Sequence, residues 1–226
     1  RGYNLSDKPD GIAAYSIDKL AADVIGLIDA AGEKKAFLVG HDWGAAVAWW
    51  VAAKYPERIR KLVNLNVPHH SVMRKNLQGS FAQLRKSWYM FFFQIPWLPE
   101  FLIKQGNWKR SAESLTKSSR PDTFTENDLV QYRKAWSQPK AYTSMLNWYR
   151  AMLQKPPKPL ASSRITVPTL LIWGVQDKFL GREMAQPSID RCDDGQLVFI
   201  EEATHWVQHE EAERVNQLIN TFLRDV

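Results

Sequence analysis

The sequence predicts an α/β fold, a mostly parallel sheet with flanking helices and an inserted helical cap. Three observations carry that expectation. Short apolar runs at 35–39, 59–67, 167–174 and 196–201 are strand candidates, and segments with apolar residues at helical spacing stand between and after them. That order joins parallel strands through crossover helices. The stretch from His69 to about Pro159 has no convincing buried strand but several aromatic, Pro-interrupted helical segments, including Phe91-Phe92-Phe93, Trp97, Trp108, Trp136 and Trp148. Finally, Gly40-His41-Asp42-Trp43-Gly44 follows an apolar run and precedes a helix, in the small-x-nucleophile-x-small pattern of a sharp strand-to-helix turn. The expected organisation is a core at 1–68, a helical cap at 69–159 and a second part of the core at 160–226.

In order along the chain, Arg1 to Tyr15 is rich in Gly, Asp, Pro and Ser and reads as a loop. Ser16 caps a helix in which Ile17, Leu20, Ala21, Val24, Leu27 and Ile28 share a face, with Gly32 as its stop. Lys35 to Val39 is a short buried strand leading to the turn at Asp42, whose flanking glycines are expected because a side chain would collide with the bent backbone. Gly44 to Tyr55 is so rich in Ala, Val and Trp that it is expected to be buried on most sides, and Pro56 ends it. Ile59 to Val67 is the next strand. After the cap, Val167 to Gly174 and Gln196 to Glu201 resume the strands, and a last helix runs from about Glu210 to Leu223 with Val215, Leu218, Ile219 and Phe222 on one face.

Composition narrows the function classes. Lys and Arg exceed Asp and Glu by 30 to 24, but the charges are scattered and no basic run of five appears, which argues against a nucleic-acid role. The single cysteine, Cys192, has no intramolecular disulfide partner; it reads as an incidental thiol in a reducing, cytoplasmic protein. No apolar stretch reaches membrane-spanning length, since Trp88 to Leu98 is broken by Gln94 and Pro96. The adjacent His69-His70 lacks an acidic or cysteine companion at ligand spacing and reads as a loop rather than a metal site.

The chemistry centres on Asp42. A carboxylate in the nucleophile position is poorly suited to amides, because displacement gives an anhydride, but it opens a strained or activated carbon and leaves an ester. Hydrolysis of that ester needs a general base. Asp177, in Trp173-Gly174-Val175-Gln176-Asp177, and His205, in Ala203-Thr204-His205-Trp206, both follow strand candidates and belong at the carboxyl edge that carries Asp42. Asp177 is expected to hold the imidazole and His205 to take a proton from water.

These residues also carry a family resemblance. Gly-His-Asp-Trp-Gly, Trp-Gly-Val-Gln-Asp, Thr-His-Trp and the opening Arg-Gly-Tyr-x-x-Ser-Asp-Lys-Pro resemble α/β-hydrolases of the epoxide hydrolase branch, over essentially the whole chain and closest to soluble bacterial members. Trp88-Tyr89-Met90-Phe91-Phe92-Phe93-Gln94-Ile95-Pro96 and Asn147-Trp148-Tyr149-Arg150 are similar to that branch's two cap motifs. The resemblance implies that Tyr89 and Tyr149 protonate the epoxide oxygen, that the Trp43 N–H serves as an oxyanion donor, and that Met90, Phe91 and Trp206 line the pocket. It implies conversion of a small apolar epoxide and water to a vicinal diol, without metal or organic cofactor, in a monomer or homodimer with no nucleic-acid or membrane partner. Haloalkane dehalogenase chemistry is the nearest alternative, although a halide leaving group needs no proton from tyrosines. An inactive α/β-hydrolase fold used as a binding module is the other. The branch's early strands and His-Gly-x-Pro loop have no counterpart here, so the chain is expected to be part of a longer one.

Overall fold

In the computed structural model, which describes residues 1–224, β1 (Ala36–His41), β2 (Ile59–Leu65), β3 (Thr169–Gly174) and β4 (Gly195–Ile200) form one parallel sheet in the order β1-β2-β3-β4. The last two residues of the expected 160–226 segment lie outside the described residues. The helices are α1 (Ile17–Ala30), α2 (Trp43–Lys54), α3 (His70–Gly79), α4 (Phe81–Lys86), α5 (Trp88–Phe92), α6 (Leu98–Ser118), α7 (Glu126–Trp136), α8 (Ala141–Gln154), α9 (Ala185–Ile189), α10 (Val207–Glu210) and α11 (Ala212–Arg224).

Register sets where the loops emerge. Gly40 lies opposite Asn64, Leu65 opposite Ile172 and Gly174 opposite Ile200, so the carboxyl ends of all four strands fall along one edge. β3 is buried along its whole length, as its unbroken apolar run requires of a strand covered on both faces. The strand expected to be buried at 35–39 is instead an edge strand among the described residues, with Phe37 and Val39 41% and 45% exposed. Burial of a strand depends on its neighbours, which an apolar run does not specify.

Two compact units divide the chain, Arg1–Leu20 with Ser87–Lys158, and Ala21–Lys86 with Pro159 onward. In the sheet unit, Val63, Leu65, Leu170 and Ile172 pack with Val215 and Phe222 of α11, and Leu218 and Ile219 border that core. Burying each such side chain contributes about 1.5–3 kcal/mol. The expected helix from Glu210 is two pieces, because α10 ends at Glu210 and α11 starts at Ala212. α2 is buried along Val47–Ala52, and Trp49 Nε1 donates to Val67 O at 3.0 Å. The helical segment 70–86 groups with the sheet rather than with the later helices: His69 N–H donates to Ser188 Oγ at 2.9 Å, and Gln83 Nε2 donates to Phe179 O at 2.8 Å. His69-His70 is thus a helix start, with the His69 imidazole capping Ser71 N–H, and not a loop.

The helical unit gathers α5 to α8 with the N-terminal segment, because Tyr15 OH donates to Pro9 O and shares a second hydrogen bond with Ser144 Oγ of α8, both at 2.8 Å. The opening loop also contains a 3-10 turn at Ile12–Tyr15. Within α6, Gly106, Asn107 and Trp108 take positive φ and break the helix, and the displaced Trp108 ring stacks on Tyr142 at 4.9 Å. Thr125 and Asp128 form a reciprocal capping box that starts α7.

Candidate active site

Asp42 stands between β1 and α2 with φ 50° and ψ −126°. Such a conformation is costly for a residue with a Cβ and persists only where the surroundings impose it. They do so through Gly40, where an added Cβ would lie 2.7 Å from the backbone of Ala45. The expectation that both flanking glycines are sterically required is corrected here. Nothing lies within 4 Å of a Cβ at Gly44, and its φ is not positive. The helix also starts one residue earlier than expected, at Trp43.

The three residues singled out from separate loops come together. His205 Nδ1 lies 2.7 Å from Asp177 Oδ2, and His205 Nε2 lies 3.4 Å from Asp42 Oδ1. Asp177 and His205 are buried, whereas the Asp42 side chain remains 46% exposed. Gly174 makes the approach possible, since a Cβ there would meet Thr204 O at 2.1 Å and prevent the end of β3 from lying against the His205 loop.

Crowding by protein opposes ionisation at all three groups, yet their mutual attraction prevails. Loss of solvation works against the Asp42 carboxylate, but the His205 hydrogen bond and charge bring its pKa down to about 2. Burial likewise opposes the Asp177 carboxylate, and His205 again turns the shift downward. For the imidazole, burial disfavours the cation, but Asp177 first and Asp42 after it push the pKa up to about 10. The resting arrangement is therefore an imidazolium between two carboxylates. The Trp43 main-chain N–H, expected as an oxyanion donor, bonds the Asp42 carboxylate in this state.

Several contributors escaped sequence reasoning. Asn66, buried just beyond β2 with φ 54°, donates Nδ2 to Asp177 Oδ2 at 2.9 Å, and its Oδ1 accepts from Gly174 N–H at 2.8 Å. The other Asp177 oxygen accepts from the N–H groups of Phe179 and Leu180 at 2.7 and 2.9 Å. Gln83 braces that loop through Phe179 O and Gly181 N–H. Glu210 accepts from Thr204 N–H and Oγ, both at 2.7 Å, tying down the residue before His205. His41 touches the His205 loop. The only signal for Asn66 was an amide residue at a strand's carboxyl end, a type that tolerates positive φ.

Of the remaining predicted residues, the Trp206 ring packs edge-on against His205 at 5.3 Å. In the helical unit, the Tyr89 and Tyr149 rings meet edge-to-face at 5.9 Å, and Phe93 contacts both. The motif residues around them form a latch between the end of α5 and α8. Gln94 Nε2 donates to Met90 O and Tyr149 O, while Arg150 donates to Phe93 O and Ile95 O and pairs through both terminal nitrogens with Glu100. Met90 is buried. Phe91 leaves 48% of its surface exposed.

The α/β hydrolase fold family matches residues 1–212. The chain belongs to that family. An α/β-hydrolase superfamily protein of Bacillus subtilis, YfhM, is 44% identical over all of this chain and 78% of its own length. Human epoxide hydrolase 4 is 38% identical, and this chain spans 63% of it. Among solved structures, a mutant epoxide hydrolase from Bacillus megaterium, complexed with its naphthyloxy-propanediol product, superposes with a TM-score of 0.87 at 31% identity, covering all of this chain and 82% of that one.

Proposed function

We propose that this α/β-hydrolase is an epoxide hydrolase working through an ester on Asp42. The observation that carries the reading is a carboxylate at the strained elbow, 3.4 Å from the Nε2 of an imidazole whose Nδ1 is held by a second, buried carboxylate. In the first step an Asp42 oxygen attacks an epoxide carbon, the carbon–oxygen bond of the ring breaks, and the ring oxygen takes a proton from Tyr89 or Tyr149. A phenol at its ordinary pKa of about 10 is protonated at neutral pH and can donate to a forming alkoxide. The latch of Gln94 and Arg150, which keeps both tyrosines on adjoining rings, supports this pairing.

In the second step His205 takes a proton from water, the hydroxide adds to the Asp42 ester carbonyl, and collapse expels the alkoxide, which takes the proton of the new carboxylic acid to give a vicinal diol, the Asp42 carboxylate and the His205 imidazolium. The raised pKa of His205 fits this sequence. Esterification removes the Asp42 charge, and with it one of the two attractions that favour the imidazolium, so His205 gives up its Nε2 proton, which replaces the one the tyrosine lost, and becomes the base that the second step needs. The naphthyloxy-propanediol product of the Bacillus megaterium enzyme suggests aryl glycidyl ethers as first substrates to test.

The test is diol formation from phenyl glycidyl ether, comparing the protein with Asp42→Ala and Tyr149→Phe. Loss of diol in Asp42→Ala and slower diol formation in Tyr149→Phe, where Tyr89 remains as a donor, is the predicted outcome. Undiminished turnover by Asp42→Ala refutes the reading, and halide release from bromoalkanes with no diol from epoxides would favour dehalogenation.

A further inference from the structure

His41 precedes the nucleophile, and the two-step chemistry assigns it no proton transfer. Its ring lies 4.7 Å from that of His205, and its Nε2 is 2.7 Å from the main-chain oxygen of His205. A carbonyl only accepts, so Nε2 carries the hydrogen. The other ring nitrogen, Nδ1, then presents a lone pair, and Gln208 Nε2 approaches it as a donor at 3.2 Å. Gln208 lies on α10, the helix that directly follows the His205 loop, and its Oε1 is buried without a hydrogen-bond partner. The amide is thus turned toward the imidazole rather than toward an outlet for its own oxygen. The groups facing His41 are the His205 imidazolium, the Asp42 and Asp177 carboxylates, the neutral Gln208 amide and the Trp206 ring at 5.7 Å. Burial first, and the His205 charge next, bring the His41 pKa down to about 4, so the ring is neutral in the same range in which the single-tautomer bond is needed.

We infer that His41 and Gln208 are positioning residues for the second step: Gln208 selects the Nε2-protonated tautomer of His41, which clamps the His205 main chain and aims the imidazole at the Asp42 ester and its water. This rests on the ester route proposed above. Asp177 holds the imidazole at Nδ1, which fixes the ring tip but not the main chain that carries it. The second attachment, at the main-chain oxygen of the same residue, fixes that backbone and with it the direction from which the ring reaches Asp42. Attack on the epoxide needs the Asp42 carboxylate and not a mobile base, so loss of the clamp acts on ester hydrolysis selectively.

The experiment follows the covalent ester by rapid quench and intact mass during reaction with phenyl glycidyl ether. His205→Gln is the reference and is expected to accumulate protein heavier by one epoxide. His41→Phe, which fills the space but cannot donate, is expected to form ester within about threefold of the native rate and hydrolyse it roughly 10–100-fold more slowly, part of the contribution of a general base. His41→Gln, which restores an N–H, should recover most of the loss. A defect confined to folding slows both steps alike and is not rescued in this way. Should His41→Phe not fold, Gln208→Leu is expected to accumulate ester with a several-fold slower second step. Ester in His205→Gln but in neither positioning variant overturns the inference. Absence of ester even in His205→Gln overturns the route on which it rests.

Discussion

At Asp42 the backbone and the charges serve the same end. A positive φ lifts the carboxylate out of β1, and the His205 hydrogen bond and charge hold it ionised. The support behind His205 is as specific as the pair itself. Asp177 accepts four hydrogen bonds, from His205, Asn66, Phe179 and Leu180, so its carboxylate has no rotational freedom. Asn66→Leu removes one of those donors and leaves Gly174 N–H without its acceptor. Steady-state kinetics should show kcat lower by roughly 10–100-fold, with KM falling alongside it and kcat/KM within about threefold, because orientation of the base for ester hydrolysis is lost while the groups that form the ester remain. A KM effect with unchanged kcat contradicts this assignment.

At the level of elements, the elbow makes a paired prediction. Gly40→Ala places a methyl 2.7 Å from the backbone of Ala45, which cannot yield without moving α2 against β1, so a loss of about 1–3 kcal/mol in denaturant unfolding is expected. Gly44→Ala meets nothing within 4 Å and should change stability by less than about 1 kcal/mol, in the stabilising direction for a helix interior. Equal effects of the two substitutions would contradict the steric account. The strands, the elbow and the terminal amphipathic helix were legible because each is written in a local pattern of a dozen residues or fewer. The exposure of β1, the split between α10 and α11, and the grouping of 70–86 with the sheet were not, since each depends on which distant segment lies alongside. Asp177 and His205 could be found because each follows a strand at the same sheet edge. Asn66, Gln83 and the clamp by His41 could not, because their partners are 96 to 164 residues away and no spacing encodes them.

For the molecule as a whole, histidine burial predicts the acid limb of stability. The pKa values of His41, His69 and His70 are brought down to about 4, 3 and 4, in each case mainly by burial. The unfolded chain, with histidines near pKa 6.5, binds more protons than the native state below that pH. Stability therefore falls as pH drops from about 6.5 toward 4, by up to about 1.4 kcal/mol per pH unit for each group within its window. His205 has the opposite sign. Its contribution is complete below about pH 6.5 and is lost as pH rises toward about 10. Urea unfolding at a series of pH values should place maximal stability near neutrality, and a flat profile from pH 7 to 5 is incompatible with three imidazoles held neutral in the native state.

The central claim is that Asp42 becomes the ester and is regenerated by water. A single turnover of phenyl glycidyl ether in oxygen-18 water, followed by peptide mass analysis, tests it most directly. The ester route places the heavy oxygen in the Asp42 carboxylate and leaves the diol unlabelled, because the diol's new oxygen comes from the protein. Label in the diol with none in Asp42 would mean that water attacks the epoxide directly, and would contradict the account.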